Sequence, residues 1–402
     1  MMARTPLVTT LAAAAFAAAC APMQAPHNEE PVAAGLSYQA QYRAMDHARA
    51  ERNAKSSAAL NEARCAASVD ASPQQPDRLS AFSHEHLSPG DLLVVAVGVD
   101  EIFSGDFEVS RDGNLKPPYL KAIPTAGRSA TELSDILRGR LVAEGYYPAP
   151  GPRVSIRVKE FAPVRVAVAG AVFEPREVII GEVVQNRDLA RQAAAGGNTE
   201  GRNLSAALRA AGGVRPDADL AQIRIIRDGA AHTLDLRRAV EGRKFPDVML
   251  LAGDEVIVPS RGCFQEALMT PSSITAPGVK VFMSNLTKPA DANALSAVGK
   301  EARELRYGAR FLQAVVGMNC VGGSKLTNAD RSAVLFTRNP ATGKSIVIER
   351  RIEDLLRGEH RDELDPFILP GDALACYDST VTDITDLARS FGIVGAGIAL
   401  AL

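Results

Sequence analysis

The sequence predicts an α+β architecture of three small modules, and three observations carry that expectation. Apolar residues, then Pro or Ala, then Gly-Asp and a short apolar run occur three times, as LSPGDLLVVAV at 87–97, LLAGDEVIVPS at 250–260 and ILPGDALACYDS at 368–379. A stretch at 129–147 has helical periodicity and is followed by period-two alternation in PRVSIRV, 152–158. Two later stretches, LSAALRAAGGV from 204 and FLQAVVGMNCVGG from 311, each run as a helix into paired glycines before further strands.

Composition narrows the function classes. The chain has 402 residues, 46% apolar and 23% charged, which is a folded protein of about two to four domains. Basic and acidic side chains number 45 and 47, a formal net charge of −2, so no broad basic surface exists to neutralise phosphates and nucleic acid is excluded as a leading partner.

The N-terminus MMARTPLVTTLAAAAFAAAC places Arg4 before an apolar run from Leu7 to Phe16, then three alanines and Cys20. This is the layout of an export signal over 1–19. It resembles a bacterial lipoprotein signal, in which the cysteine thiol takes a diacylglyceryl group before cleavage and the new amine is then acylated, as with palmitate. Each buried methylene contributes about 0.8 kcal/mol, so several chains hold a protein at a membrane. Ala21 and Pro22 leave no acidic residue after Cys20, which points to the outer membrane. The alternative is an ordinary secretory cut with Cys20 incidental. Residues 20–80 are rich in Ala, Asn, Gln, Glu, Arg and Pro, too poor in large apolar residues to supply a core, and are read as lipid anchor and linker.

Cys65, Cys263, Cys320 and Cys376 remain in the mature chain, and in an oxidising compartment four cysteines allow three full pairings. Cys320 and Cys376 fall in one repeat and are the pair expected; the alternative is that some are buried thiols. No CxxC is present, so neither a redox motif nor a cysteine-rich zinc site is indicated.

The first module spans 81–162. FEVSRDGNL reads as a strand, an Asp-Gly turn and a second strand. Ser129 with Glu132 three residues on forms a capping signature, and Leu133, Ile136, Leu137 and Leu141 fall at helical spacing until Glu-Gly-Tyr-Tyr-Pro at 144–148 ends the helix. The second module, 163–262, opens on PVRVAVAGAVFEPREVII and closes on its own Gly-Asp strand. The third, 275–378, repeats that order with different words, so two copies of a small β-rich fold are expected. Gly90, Gly253 and Gly371 sit where a turn needs positive φ, and Asp91, Asp254 and Asp372 bond to nearby amides to hold it. Such turns launch strands and perform no chemistry.

The C-terminal segment 379–402 is expected to be a helix whose last 12 residues, from Phe391, carry no charge. Begun at Thr380 it would have about 23 residues and a length near 34 Å at about 1.5 Å per residue. With Asp386 and Arg389 toward water and Ile393, Ile398 and Leu402 toward lipid, it would cross a membrane as one stave of a ring. The alternative is a docking helix or a partly frayed apolar end. No HExxH, P-loop, GxGxxG or GxSxG occurs, and the HEH at 84–86 has no partner cluster, so no catalytic residue, metal or cofactor is expected.

In order, AAAC, LSPGDLLVVAV, FEVSRDGNLKPPYL, SATELSDILRGRLV, PRVSIRV and VAVAGAVFEPREVI resemble the outer-membrane polysaccharide export proteins. The likeness covers about Leu87 to Tyr377. It implies a polysaccharide export module followed by two soluble-ligand-binding β-grasp (SLBB) repeats. It further implies a homo-oligomeric ring, commonly of eight subunits, whose C-terminal helices form an α-helical barrel through the outer membrane. The implied function is a porin-like channel passing capsular, exopolysaccharide or adhesive polymer to the cell surface, with an inner-membrane co-polymerase as partner. A periplasmic lipoprotein that binds glycan or a partner protein without forming a pore is the competing reading, and an envelope-associated structural protein is a third.

Overall fold

The structure, a computed structural model, describes residues 28–32, 36–43, 56–66, 82, 85–181, 199–285, 303–318, 320–321, 331–358 and 361–377. The chain divides into two compact units, one from Asn61 to Pro277 and one formed by Met1–Leu60 with Gly278–Leu402.

The 61–277 unit contains the first module and the first repeat. In the module, strands β1 (Leu92–Val97), β2 (Asp100–Glu108) and β5 (Val154–Glu160) form an antiparallel sheet in the order β2-β1-β5, and β3 (Asn114–Leu115) pairs with β4 (Ile123–Pro124). Helix α1 (Ala130–Ala143) starts from a complete capping box. The Ser129 hydroxyl accepts from the Glu132 amide at 3.2 Å while the Glu132 carboxylate accepts from the Ser129 amide at 2.7 Å. Leu133, Leu137 and Leu141, four residues apart, are fully buried with Leu93, Val95, Val97 and Ile156 of the sheet. Each such side chain contributes roughly 1.5–3 kcal/mol, so this stripe fixes the helix on the sheet.

The first repeat joins β6 (Val164–Gly170), β7 (Arg176–Ile180), helix α2 (Leu204–Ala210), β8 (Ile223–Arg227), β9 (Ala230–Leu234) and β10 (Glu255–Val258). Its sheet runs β7-β6-β10-β8-β9, with β6 and β10 parallel and every other pair antiparallel. Val164, Val166 and Val168 alternate with exposed Arg165 and Ala167, and the valine face is buried with Leu204 and Leu208 of α2.

In the other unit, β11 (Val279–Asn285), β12 (Arg303–Leu305), helix α3 (Phe311–Gly317), β13 (Ser332–Arg338), β14 (Ser345–Arg351) and β15 (Ala373–Tyr377) follow in the same chain order. The sheet runs β12-β11-β15-β13-β14, again with the central pair, β11 and β15, parallel. Part of the stretch read as linker is built into this unit. The Asn28 side-chain amide donates to the Val347 carbonyl at 2.9 Å and accepts from its amide at 2.7 Å, pairing with the edge strand β14. Residues 37–43 are buried. Gln39 exchanges two 2.9 Å bonds with the Phe367 backbone, and Arg350 donates to the carbonyls of Gln41, Tyr42 and Arg43.

The expected α-helical barrel finds no support among the described residues. The longest described helix, α1, has 14 residues and carries Glu132, Asp135, Arg138 and Arg140. At about 1.5 Å per residue it falls short of a hydrocarbon core near 30 Å. Among the described residues no helix is long and apolar enough to cross a membrane, and each sheet is open, with two edge strands. The C-terminal segment 379–402 that carried the expectation lies outside the described residues. The described α+β modules supply no stave for a transmembrane ring.

Candidate functional site

The three Gly-Asp turns share one geometry. Gly90, Gly253 and Gly371 have φ of 91°, 88° and 86°. Each following aspartate accepts through Oδ2 from the amide three residues back: Ser88 to Asp91 at 2.7 Å, Leu251 to Asp254 at 2.8 Å and Leu369 to Asp372 at 2.8 Å. Beyond the turn the environments differ. Asp91 and Asp254 are met by guanidinium groups, Arg202 at 2.8 Å and Arg227 at 2.7 Å. Burial pushes the Asp91 carboxyl up and the Arg202 guanidinium down, and their mutual attraction opposes both shifts. These groups are consumed in holding strands together.

Cys320 and Cys376 form a disulfide, as do Cys65 and Cys263. Cys20 lies outside the described residues, as does His84; His86 forms a backbone bridge with Ser129. Among the described residues no group of three His, Cys, Asp or Glu side chains can hold a metal ion.

The surface that stands out belongs to the first module and involves residues to which the sequence reading gave no role beyond ending a helix. α1 closes in a Schellman motif: the Gly145 amide donates to Val142 at 3.1 Å and the Tyr146 amide to Leu141 at 3.0 Å, with Gly145 at φ 79°. That turn sends two tyrosines toward the β1–β2 hairpin. The Tyr147 hydroxyl donates to the Asp100 carboxylate, which also accepts from the Ile102 amide at 2.7 Å. The tyrosine bond, then the amide, hold the Asp100 carboxyl below its usual range, and the same bond raises the Tyr147 phenol.

Tyr146 stands edge-on to Phe103, with ring centroids 5.1 Å apart, and its hydroxyl donates to the Tyr119 carbonyl at 3.2 Å. Tyr119 has φ 60°, a left-handed conformation that costs a bulky residue about 1–2 kcal/mol, and its side chain is nonetheless turned out to solvent at 78% exposure. Tyr146 is 45% exposed, and Ile102 and Val99 are exposed on the hairpin. A cleft of about 700 Å³ next to the hairpin turn is lined by Gly98, Arg138, Pro150, Arg153 and Ser155. Exposed aromatic rings with polar rims, fixed on a packed scaffold, suit the apolar C–H face of a sugar ring together with its hydroxyls. The sequence signals were KPPYL at 116–120 and EGYYP at 144–148, whose aromatics follow turn-forming residues.

Residues 81–159, the module that carries this surface, match the model of the polysaccharide biosynthesis/export protein family. That match covers the first module alone. No curated protein matches the chain. The family match supports a periplasmic, outer-membrane-associated protein with a role in handling polysaccharide, the matched module being a non-catalytic export module. It does not carry over the transmembrane, porin-like channel that the resemblance implied, because no described helix can supply the pore wall.

Proposed function

We propose that this protein is a periplasmic lipoprotein, acylated at Cys20, that binds the exported glycan on the export module without forming a pore. The observation that carries this reading is the Tyr119–Tyr146 surface: two exposed rings, one on a strained backbone, held by the Schellman turn and the Tyr147–Asp100 bond. Strain retained at an exposed aromatic residue is a mark of a site rather than of packing.

Tyr119→Gly and Tyr146→Ala test it. Glycine removes the ring and relieves the backbone, so Tyr119→Gly should leave melting unchanged or slightly higher. Retardation of the full chain by the cell's own envelope polysaccharide in affinity gels should fall at least about tenfold. Mass spectrometry of the mature N-terminus checks the acyl chains on Cys20. Undiminished retardation with both rings removed, or an unacylated Cys20, sinks the corresponding half of the reading.

A further inference from the structure

The two repeats have one topology, so their sheets can be compared position by position. Each sheet has one face buried with its helix and one open face. In the first repeat, Glu255 on the central strand β10 pairs with Ala167 of β6 on one side and Ile226 of β8 on the other. In the second, Ala373 on β15 pairs with Phe282 of β11 and Phe336 of β13. Both phenylalanines are on the open face, 57% and 46% exposed.

One pleat away, two residues earlier on the parallel strands and two later on the antiparallel one, the rows are Arg165, Gly253 and Asp228 in the first repeat and Lys280, Gly371 and Arg338 in the second. The glycine amide marks the alignment, donating to the Arg165 carbonyl in one repeat and to the Lys280 carbonyl in the other, each at 3.1 Å.

The consequence is a change of surface on a constant scaffold. In the first repeat Glu255 occupies the middle of the face, and Arg165 lies within 3.9 Å of Glu177. In the second, the small residues Gly371 and Ala373 form a floor along β15. Phe282 and Phe336 wall it from strands lying about 9.6 Å apart, at roughly 4.8 Å per strand spacing. Lys280 and Arg338 continue the same two walls, both exposed, and neither makes an ion pair among the described residues. A trough with aromatic walls and a pair of cations at one end is complementary to a chain of flat, C–H-faced rings that carries negative charge.

We infer that the open face of the second repeat is a binding groove for an acidic polysaccharide, a pyranose chain bearing carboxylates. The rings of Phe282 and Phe336 contact sugar faces above Ala373, and Lys280 and Arg338 meet the carboxylates. The inference rests on the glycan-binding reading above but uses a different surface. The first repeat lacks the groove because Glu255 fills its floor and would repel such a chain.

The test uses the full chain in affinity gels and calorimetry with polygalacturonate, and with its fully methyl-esterified form as a charge-free control. Polygalacturonate should bind at least about tenfold tighter than the ester, and the difference should shrink as salt is raised. Phe282→Ala with Phe336→Ala should weaken binding at least about tenfold. Lys280→Gln with Arg338→Gln should bring polygalacturonate down to the level of the ester. Ala373→Glu places in the second repeat the residue the first already folds around, and should abolish binding with melting kept.

Wild-type affinity in Ala373→Glu or in the double phenylalanine variant overturns the groove. If binding instead falls only with Tyr119→Gly and Tyr146→Ala, the export-module surface stands and this one does not. Polyglutamate competing as well as polygalacturonate overturns the assignment to glycan. Failure of every glycan to bind the wild type sinks the functional reading itself.

Discussion

At the scale of residues, the third Gly-Asp turn differs from the other two in its partner. Ile226 faces Glu255 as Phe336 faces Ala373, so Arg227, which grips Asp254, corresponds to Thr337. Asp372 thus has a hydroxyl where its counterpart has a guanidinium, and Thr337 in turn lies 3.5 Å from the Tyr42 hydroxyl. Burial pushes the Asp372 carboxyl from an ordinary 3.8 up to about 7, against the Leu369 amide and the Thr337 hydroxyl. The folded state then holds this proton more tightly than the unfolded chain. Its contribution to stability is full below pH 3.8 and is lost as pH rises through about 7. Asp372→Asn, which copies the protonated acid and keeps an oxygen for the Leu369 amide, should flatten the fall in urea midpoint between pH 4.5 and 8. Asp365, raised by burial to about 6, leaves a smaller slope at the acidic end. An unchanged slope in Asp372→Asn would show that the carboxylate is already ionised in the fold.

At the scale of elements, glycines that share a positive φ do not share a cost. Gly213, after α2, has φ 84°, and a Cβ there would lie 2.2 Å from the Ala276 nitrogen and 2.6 Å from the Thr275 carbonyl carbon. These are backbone atoms, which do not turn aside as a side chain does. Gly253 has φ 88° with nothing within 4 Å of its Cβ position. Gly253→Ala should therefore cost about 1 kcal/mol from conformation alone, whereas Gly213→Ala adds a clash that moves the 274–276 segment and should cost about 3 kcal/mol. Denaturant titration of the two variants separates these; equal losses would mean that the 274–276 segment yields freely.

The same contrast explains what can be read from the chain. The α1 capping box and the Leu133, Leu137, Leu141 stripe join residues within a few positions of each other, so their physics is written locally. The burial of Gln39 and Tyr42 is not, because it depends on a reciprocal amide bond to Phe367, more than three hundred residues away, in a stretch with no apolar period. Nor is the Phe282, Ala373, Phe336 row, which exists only once three distant strands take one register. The expected membrane helix rested on the uncharged run of 391–402, which lies outside the described residues, and no described helix is long and apolar enough to cross a membrane.

At the scale of the whole molecule, each compact unit contains one disulfide. Cys376 lies on the central strand β15 and Cys320 just beyond α3, so their bond ties the helix end to the middle of its sheet. Cys65 is joined to Cys263, and the neighbouring Ala66 amide donates to the Arg261 carbonyl at 3.1 Å, which fastens the start of the other unit to the segment after β10. The sequence separations are 56 and 198 residues, and cross-links of this kind typically contribute about 2–4 kcal/mol by restricting the unfolded chain. A bond within a unit restricts only that unit's unfolded ensemble. Cys320→Ser with Cys376→Ser should therefore lower protection in hydrogen exchange for peptides from 279–285, 332–351 and 373–377 by that amount, and leave 92–97 and 164–170 unchanged. Cys65→Ser with Cys263→Ser should do the reverse. If either pair of substitutions lowers protection equally in both sets of peptides, the two units open as one cooperative body, and the assignment of one cross-link to each fails.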